Sequence, residues 1–225
     1  MRSASIIIPI WGDPALTDAC LDALERTTKD YELVLVDNTG VYQSPIPYDT
    51  IFHNTENRGW SGGNNQGVTA VTTDTLVFLN CDAEPEVNWL SELLSAFDDP
   101  DVGMAGSRLH YPNGSIQHSG ITIRCSPGNV YAENRHDEHP TEDVDGVTGA
   151  CMAVRASVFE EMGGLDEEFW NGADDVAACL MVRSLGHRIR YVSTSRVMHR
   201  ESATGPERWI RCHENVALLN QKWGK

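Results

Sequence analysis

Basic side chains are scarce in this 225-residue chain: 17 Lys and Arg stand against 33 Asp and Glu, a formal charge of −16. Such a balance leaves little with which to neutralise phosphates. It argues against a large nonspecific footprint on nucleic acid or on an anionic membrane surface, though a local basic cleft stays compatible. No apolar run approaches the roughly 20 residues that span a bilayer. The opening "MRSASIIIPIWG" has neither the long apolar core nor the small-residue cleavage site of a signal peptide. Cys20, Cys81, Cys125, Cys151, Cys179 and Cys212 are scattered, with no CxxC pair. A chain of this size needs no disulfide staples, so reduced thiols and a cytoplasmic setting are expected. Neither GxGxxG nor GxxxxGK[ST] follows a strand-like run, and HExxH does not occur, so the dinucleotide fingerprint, the P-loop and the zincin motif are missing.

What is there is alternation. "SIIIPI" (5–10) reads as a strand, after which Asp13 offers an N-cap and Pro14 suits the first position of a helix running to about Thr28. "YELVLVD" (31–37), a short segment near 50–53 and "TLVFLN" (75–80) read as further strands. A helix is expected after the glycine-rich "NRGWSGGNNQG", and another in "VNWLSELLSAF". Strands alternating with helices of 10–15 residues imply crossovers and a mostly parallel sheet flanked by helices. Such a sheet gathers its strand ends, and with them its ligand site, along one edge. Asp37, Asn57 and Asp82 all lie just past strand-like runs.

The second half is less regular. "VGMAGSRLHYPNGSIQHSGITI" suggests a strand, a turn at 112–114 and a returning strand. Residues 125–144 read as a long polar surface loop. A strand and short helix end at Gly163-Gly164. "DDVAACLMVRSLG" is expected to be a helix stopped by Gly186, "HRIRYVST" a strand, and Pro206 the start of a terminal helix reaching about Trp223. Without repeats or a linker, residues 1–225 are expected to form one domain.

One stretch poses the chemical question. "LVFLNCDAEPE" (76–86) runs as a buried strand and breaks into acid. Taken alone it reads as a turn, since Asn and Asp bond their own backbone there. Its neighbours alter the weighing. "IIIPIW", "ELVLVDNTG", "NTENRGWSGGNNQGV", "LVFLNCDAE", "YPNGSIQHSG", "DGVTGACMAVRASVFEEMGGLDEEF", "NGADDVAACLMVRSLGHRIRYV" and "VMHRESAT" follow in an order that resembles the family 2 glycosyltransferases of the GT-A fold, especially their rhamnosyltransferase-like branch. The likeness runs from Ser5 to about Asn220.

The resemblance implies inverting transfer of a sugar from a nucleoside diphosphate, UDP or dTDP, with Mn2+ or Mg2+ as cofactor, and a nucleotide-binding half (1–100) and an acceptor and catalytic half (101–225) within the single glycosyltransferase domain. By that likeness Asp37 contacts the nucleoside, with Pro9 and Trp11 in the same pocket. Asn57, Arg58, Gly59 and Asn64 belong to the donor loop, the glycines there serving conformation in either reading. Asn80 and Asp82 fall on the family's metal motif, where Asp82 is the ligand and soft Cys81 a poor match for hard cations. His199 matches a late histidine, either a further ligand or a packed strand-end residue. Gly149 lines the donor-sugar pocket, and Trp170 is either a sugar wall or core. Asp175 matches the catalytic base. Asp174 beside it divides between catalysis and capping the helix start, and both sit where a helix dipole favours carboxylates. Departures include Ala177, where the family carries a second Asp, and Trp11-Gly12 after the first strand.

Expected partners are the nucleotide-sugar donor and a glycan, lipid-linked or protein acceptor, with a nucleic-acid acceptor disfavoured by the acidity and a homodimer compatible. Two other classes stay open. One is a sugar nucleotidyltransferase, although "IWGDPALTD" lacks the basic loop that chemistry uses. The other is a non-catalytic sugar- or protein-binding module on the same fold.

Overall fold

A computed structural model of the chain describes residues 3–201 and 210–224. The first strands form because their apolar runs are buried on both faces, as parallel sheets require. Strand β1 (Ala4–Ile10) is followed by helix α1 (Pro14–Thr27), β2 (Tyr31–Asp37), β3 (Thr50–His53), α2 (Gly59–Val68) and β4 (Thr75–Leu79). Asp13 caps α1 by accepting a hydrogen bond from Ala15 N (2.9 Å), with Pro14 at the first turn as expected. β1 pairs parallel with β2 and with β4, and β2 pairs parallel with β3.

The chain continues through β5 (Ala83–Pro85), α3 (Trp89–Leu94), β6 (Val102–His110), β7 (Ile116–His118), β8 (Ile121–Ser126), β9 (Asn129–Asn134) and β10 (Glu142–Val144). It then forms β11 (Cys151–Arg155), α4 (Ala156–Glu161), α5 (Asp174–Ser184), β12 (Arg188–His199) and α6 (Cys212–Trp223). The main sheet runs β10-β12-β6-β11-β4-β1-β2-β3, and β8 pairs with β9 in a separate antiparallel ribbon. The expected GT-A arrangement is present, with a mixed sheet: β11 enters antiparallel between β4 and β6, while β12 runs parallel to β6.

Side chains alternate between two cores. Ile6, Ile8, Leu33, Leu35, Val77 and Leu79 face α1 and α3, and Ile7, Val34, Val36, Leu76 and Phe78 face α4 and α5. Helix α2 lies directly on β1 through Gly67, where a methyl group would overlap the Ile7 side chain and approach Val36 Cγ2 to 3.2 Å. Gly67→Ala is therefore expected to destabilise the fold by about 1–3 kcal/mol. Overpacking against a strand core outweighs the gain in helix propensity of up to about 1 kcal/mol, and a urea unfolding curve measures the difference.

Three sequence expectations change. The surface loop expected over 125–144 holds the end of β8, all of β9, and β10, with 127–128 and 135–141 outside the strands. The helix expected through Phe97 ends at Leu94 and tightens into a 3-10 turn over Ser95–Asp98. Pro206 lies outside the described residues, and the terminal helix is described from Cys212. All six cysteines are free, and no helix among the described residues is long and apolar enough to cross a membrane.

Candidate active site

β4 ends at Leu79, and Asn80 N donates to Ala150 O (3.0 Å), which holds the strand end beside β11. The next turn sends the chain into β5, which pairs antiparallel with the end of β12 in the register His199↔Ala83. That register sets two buried side chains against each other: His199 Nε2 lies 3.0 Å from Asp82 Oδ1. Gln117 fixes the histidine. Its amide nitrogen donates to His199 O (3.3 Å), so its Oε1 accepts from Nδ1–H (2.7 Å). With that proton on Nδ1, the neutral tautomer is the one whose Nε2 lone pair faces the carboxylate. Two acceptors 3.0 Å apart need a proton or a cation between them.

A divalent cation fits this pair. Two ligands at about 2.1 Å from an octahedral ion, cis to each other, stand about 3.0 Å apart. No group of three or more His, Cys, Asp or Glu among the described residues is arranged to hold a metal. Asp82 and His199 would supply two ligands and leave the others to substrate oxygens and water, as Mg2+ and Mn2+ commonly require.

The second cluster opens α5. Asn171 and Ala173 both adopt left-handed backbone (φ 50° and 61°) around Gly172, an unusual turn that delivers Asp174 and Asp175 to the first helical turn. Asp175 is aimed by the backbone: its Oδ1 accepts from Val176 N (2.8 Å) and its Oδ2 from Gly149 N (3.2 Å). Asp174 Oδ1 accepts from Asp175 N (3.1 Å), while its Oδ2 is buried with no hydrogen-bond partner. Burial, with the neighbouring Asp175 charge, pushes the Asp174 carboxyl up to about 7.

That shift predicts a pH effect. In the unfolded chain Asp174 would lose its proton near its usual value of about 3.9. A raised folded value contributes stability that is complete below that point and is lost as pH rises through about 7. Asp174→Asn, neutral throughout, is expected to have a higher thermal midpoint than wild type at pH 8, with the gap shrinking toward pH 5.

The third element is the start of α2. Asn57 Oδ1 accepts from Gly59 N (2.8 Å) in a tight turn with Gly59 at φ +70°. The helix has no side-chain cap of its own at Arg58. Instead Trp60 N donates to Asn171 Oδ1 (3.0 Å), tying the glycine-rich loop to the segment that leads into the acid pair. These pieces enclose one cavity of about 310 Å³. Pro9, Trp11, Asn57, Gly59, Asn80, Asp82, Gly149, Asp174, Asp175 and His199, all expected from the sequence, line it.

Residues 5–163 match the model of Glycosyl transferase family 2. The chain belongs to this family. It is 29% identical to the O-antigen biosynthesis protein RfbC of Myxococcus xanthus over 89% of the chain and 17% of that protein. It is 28% identical to the pre-mycofactocin glycosyltransferase of Mycobacterium tuberculosis over 93% of the chain and 45% of the relative. The chain thus spans less than half the length of these curated relatives. Among solved structures, GalNAc-T7 with UDP, GalNAc and Mn2+ superposes with a TM-score of 0.68 at 15% identity, covering 88% of this chain and 44% of that one. The mannosyltransferase PcManGT from Pyrobaculum calidifontis, with GDP-Man and Mn2+, gives 0.65 at 17% identity over 93% and 60%. The shared fold is GT-A.

Four residues expected at the donor site of this family 2 glycosyltransferase domain stand off the cavity wall. Asp37 is fully buried, and its carboxylate accepts from Thr39 N, Thr39 Oγ1 and Tyr42 N and pairs with His53 Nδ1. Although burial raises its pKa, those hydrogen bonds win and hold the carboxyl below its usual value. Asn38, the next residue, lines the cavity instead. Arg58 reaches toward Glu167 (3.8 Å) at the surface. Asn64 is buried inside α2, where its amide donates to Trp60 O (3.0 Å). Trp170 packs on Gly59, its backbone clasped at N and O by the Asn215 side chain and its ring covered by Arg211.

Other liners were not anticipated: Trp60, Thr148, Asn171, and Ala132, Glu133 and Asn134 of β9. The Pro127-Gly128 turn between two polar-alternating runs was the available signal for that hairpin. His118 holds this wall. Its Nε2 accepts from Gly120 N and Thr148 N, and its Nδ1 donates to Asn134 Oδ1 (3.1 Å). Burial pushes its pKa down to about 4, which keeps the ring neutral. Cys81 also lines the cavity, but burial pushes its thiol up to about 11, and the sulfur bonds Trp11 O. Residues 59–63 formally spell GxSxG, yet Ser61 is buried within α2 and off the cavity, away from any strand-to-helix elbow.

Proposed function

We propose that the chain transfers a hexosyl group from a nucleoside-diphosphate sugar, UDP- or dTDP-linked, to an acceptor hydroxyl with inversion, using Mn2+ or Mg2+. One observation carries this reading: a single cavity joins the Asp82–His199 pair, the amide end of α2 and the acid pair of α5. The GDP-Man, UDP and Mn2+ bound by the two structural neighbours support it.

In this reading Asp82 and His199 would hold the cation, which would supply positive charge beside the departing diphosphate. Asn57 and Gly59, which line the cavity at the turn opening α2, would lie against the phosphates, where the glycine lets the backbone come close. The acceptor hydroxyl, with a pKa far above 7, needs a base. Asp175 takes its proton as the oxygen attacks the anomeric carbon from the face opposite the leaving group. The new glycosidic bond forms as the bond to the diphosphate oxygen breaks, and the nucleoside diphosphate departs with that electron pair.

A thermal-shift screen of UDP-glucose, UDP-galactose, UDP-N-acetylglucosamine, dTDP-rhamnose and GDP-mannose, with and without MnCl2, tests the reading. At 100 times Kd the matching donor is expected to raise the midpoint by roughly 5–10 °C, and only with manganese. A panel without any metal-dependent shift would count against it.

A further inference from the structure

The turn that carries Asp174 and Asp175 is strained. Asn171, Gly172 and Ala173 have φ of 50°, 156° and 61° in succession. Left-handed backbone is tolerated by asparagine but disfavours alanine, whose Cβ crowds the following carbonyl. Such a conformation persists only where its surroundings over-determine it. Downstream, α5 holds the turn, since Ala177 N donates to Ala173 O (2.9 Å). In its middle, Asn171 Oδ1 accepts from Trp60 N. Upstream, the hold comes from α6, 45 residues along the chain.

Asn215 of α6 is buried, and its side chain spends both polar atoms on one residue. Its Oδ1 accepts from Trp170 N (3.3 Å) and its Nδ2 donates to Trp170 O (2.9 Å). A primary amide can satisfy a backbone N–H and C=O together because it carries an acceptor and a donor side by side. The helix is itself anchored around the turn. Asn220 Oδ1 accepts from Val130 N of β9 (2.7 Å), and Lys222 pairs with Asp166, upstream of Trp170 (2.5 Å). Trp170 carries the hold onward to the glycine-rich loop: its ring lies on Gly59, where an added Cβ would come within 3.1 Å of Cε3.

A fixed Trp170 sets where the strained turn starts, and the turn sets where Asp175 enters α5. We infer that Asn215 is a positioning residue for sugar transfer. It stands off the cavity wall and acts through the 170–173 turn, keeping it in the conformation that presents Asp175 to the acceptor oxygen. This inference rests on the transfer reading above.

The test uses water as acceptor. Release of UDP, dTDP or GDP from the nucleotide sugars of the panel is followed in MnCl2. Water oxygen bonds the anomeric carbon, its proton passes to Asp175, and the diphosphate leaves with the electron pair of the broken bond. Rates are read well below the thermal midpoint, where each variant is folded, so a loss of stability alone does not lower them. Asn215→Ala is expected to lower kcat at least about tenfold, as misplacement of a reacting group does. In a chain already carrying Ala173→Gly, which relaxes the turn, the same substitution should lower it about threefold or less. Hydrogen exchange gives a readout that needs no activity. The amides of Val176 and Ala177, bonded to Asp175 and Ala173 rather than to Asn215, should exchange about tenfold faster in Asn215→Ala, while those of β1 and β4 keep wild-type rates. Should Asn215→Ala fail to fold, Asn215→Asp takes its place, keeping the bond from Trp170 N and losing the one to Trp170 O. A kcat within twofold of wild type, equal losses with and without Ala173→Gly, or unchanged exchange at Val176 and Ala177 overturns the inference alone. A wild type that releases no nucleoside diphosphate from any donor overturns the functional reading and the inference with it.

Discussion

Asp175→Asn is expected to lower kcat for sugar transfer by about 10²- to 10⁴-fold while nucleotide-sugar affinity stays within a few-fold of wild type. The reason is local. Two backbone amides, Val176 N and Gly149 N, aim the Asp175 carboxylate, and each oxygen keeps a second lone pair for an incoming proton. A carboxamide has the same shape and still accepts from one of those amides, so the wall near Gly149 should persist. What it cannot do is accept the acceptor hydroxyl's proton. A single-turnover transfer assay measures the loss, and titration of the nucleotide sugar checks that binding survives. Turnover near wild type would remove Asp175 from the role.

The parts of the site legible in the sequence are those whose chemistry is local. Asp82 follows an apolar run that is buried on both faces, so an acid there stands at a sheet edge. Asp175 opens an eleven-residue helix that Gly186 stops. Strands β1, β2 and β4 were legible for the same reason. Other parts depend on contacts between distant segments and leave no local pattern. Gln117 fixing the His199 tautomer spans 82 residues, and Asn171 capping α2 spans 111. A lone Gln or Asn in such a stretch looks like any other polar loop residue. Asp37 shows the complementary limit. Its element and position were readable, but whether its carboxylate faces a ligand or folds back on Thr39 and Tyr42 depends on the next five residues of turn geometry. Strand β9 left no such pattern because only Val130 of its six residues is buried, and its pairing is with the neighbouring β8.

Asp82→Ala is expected to abolish the manganese-dependent part of nucleotide binding, a loss of at least about 100-fold, because the cation's charge stabilisation is worth several kcal/mol. UDP titrated with and without MnCl2 gives the measurement: wild type should bind far more tightly with the ion, and the variant equally weakly in both. Gln117→Leu is the finer test. It leaves both ligands in place but releases Nδ1–H, so the imidazole is free to present either nitrogen to Asp82. Outer-shell changes of this kind cost about 10–100-fold in metal affinity. A nitrogen ligand beside one carboxylate also favours Mn2+ over Mg2+, which prefers oxygen ligands. Wild type should therefore need less Mn2+ than Mg2+ for half-maximal nucleotide binding, and His199→Asp should narrow that difference. If His199 is only a packed strand-end residue, neither Gln117→Leu nor His199→Asp will alter the metal dependence, and Asp82 alone must carry the protein's share of the cation.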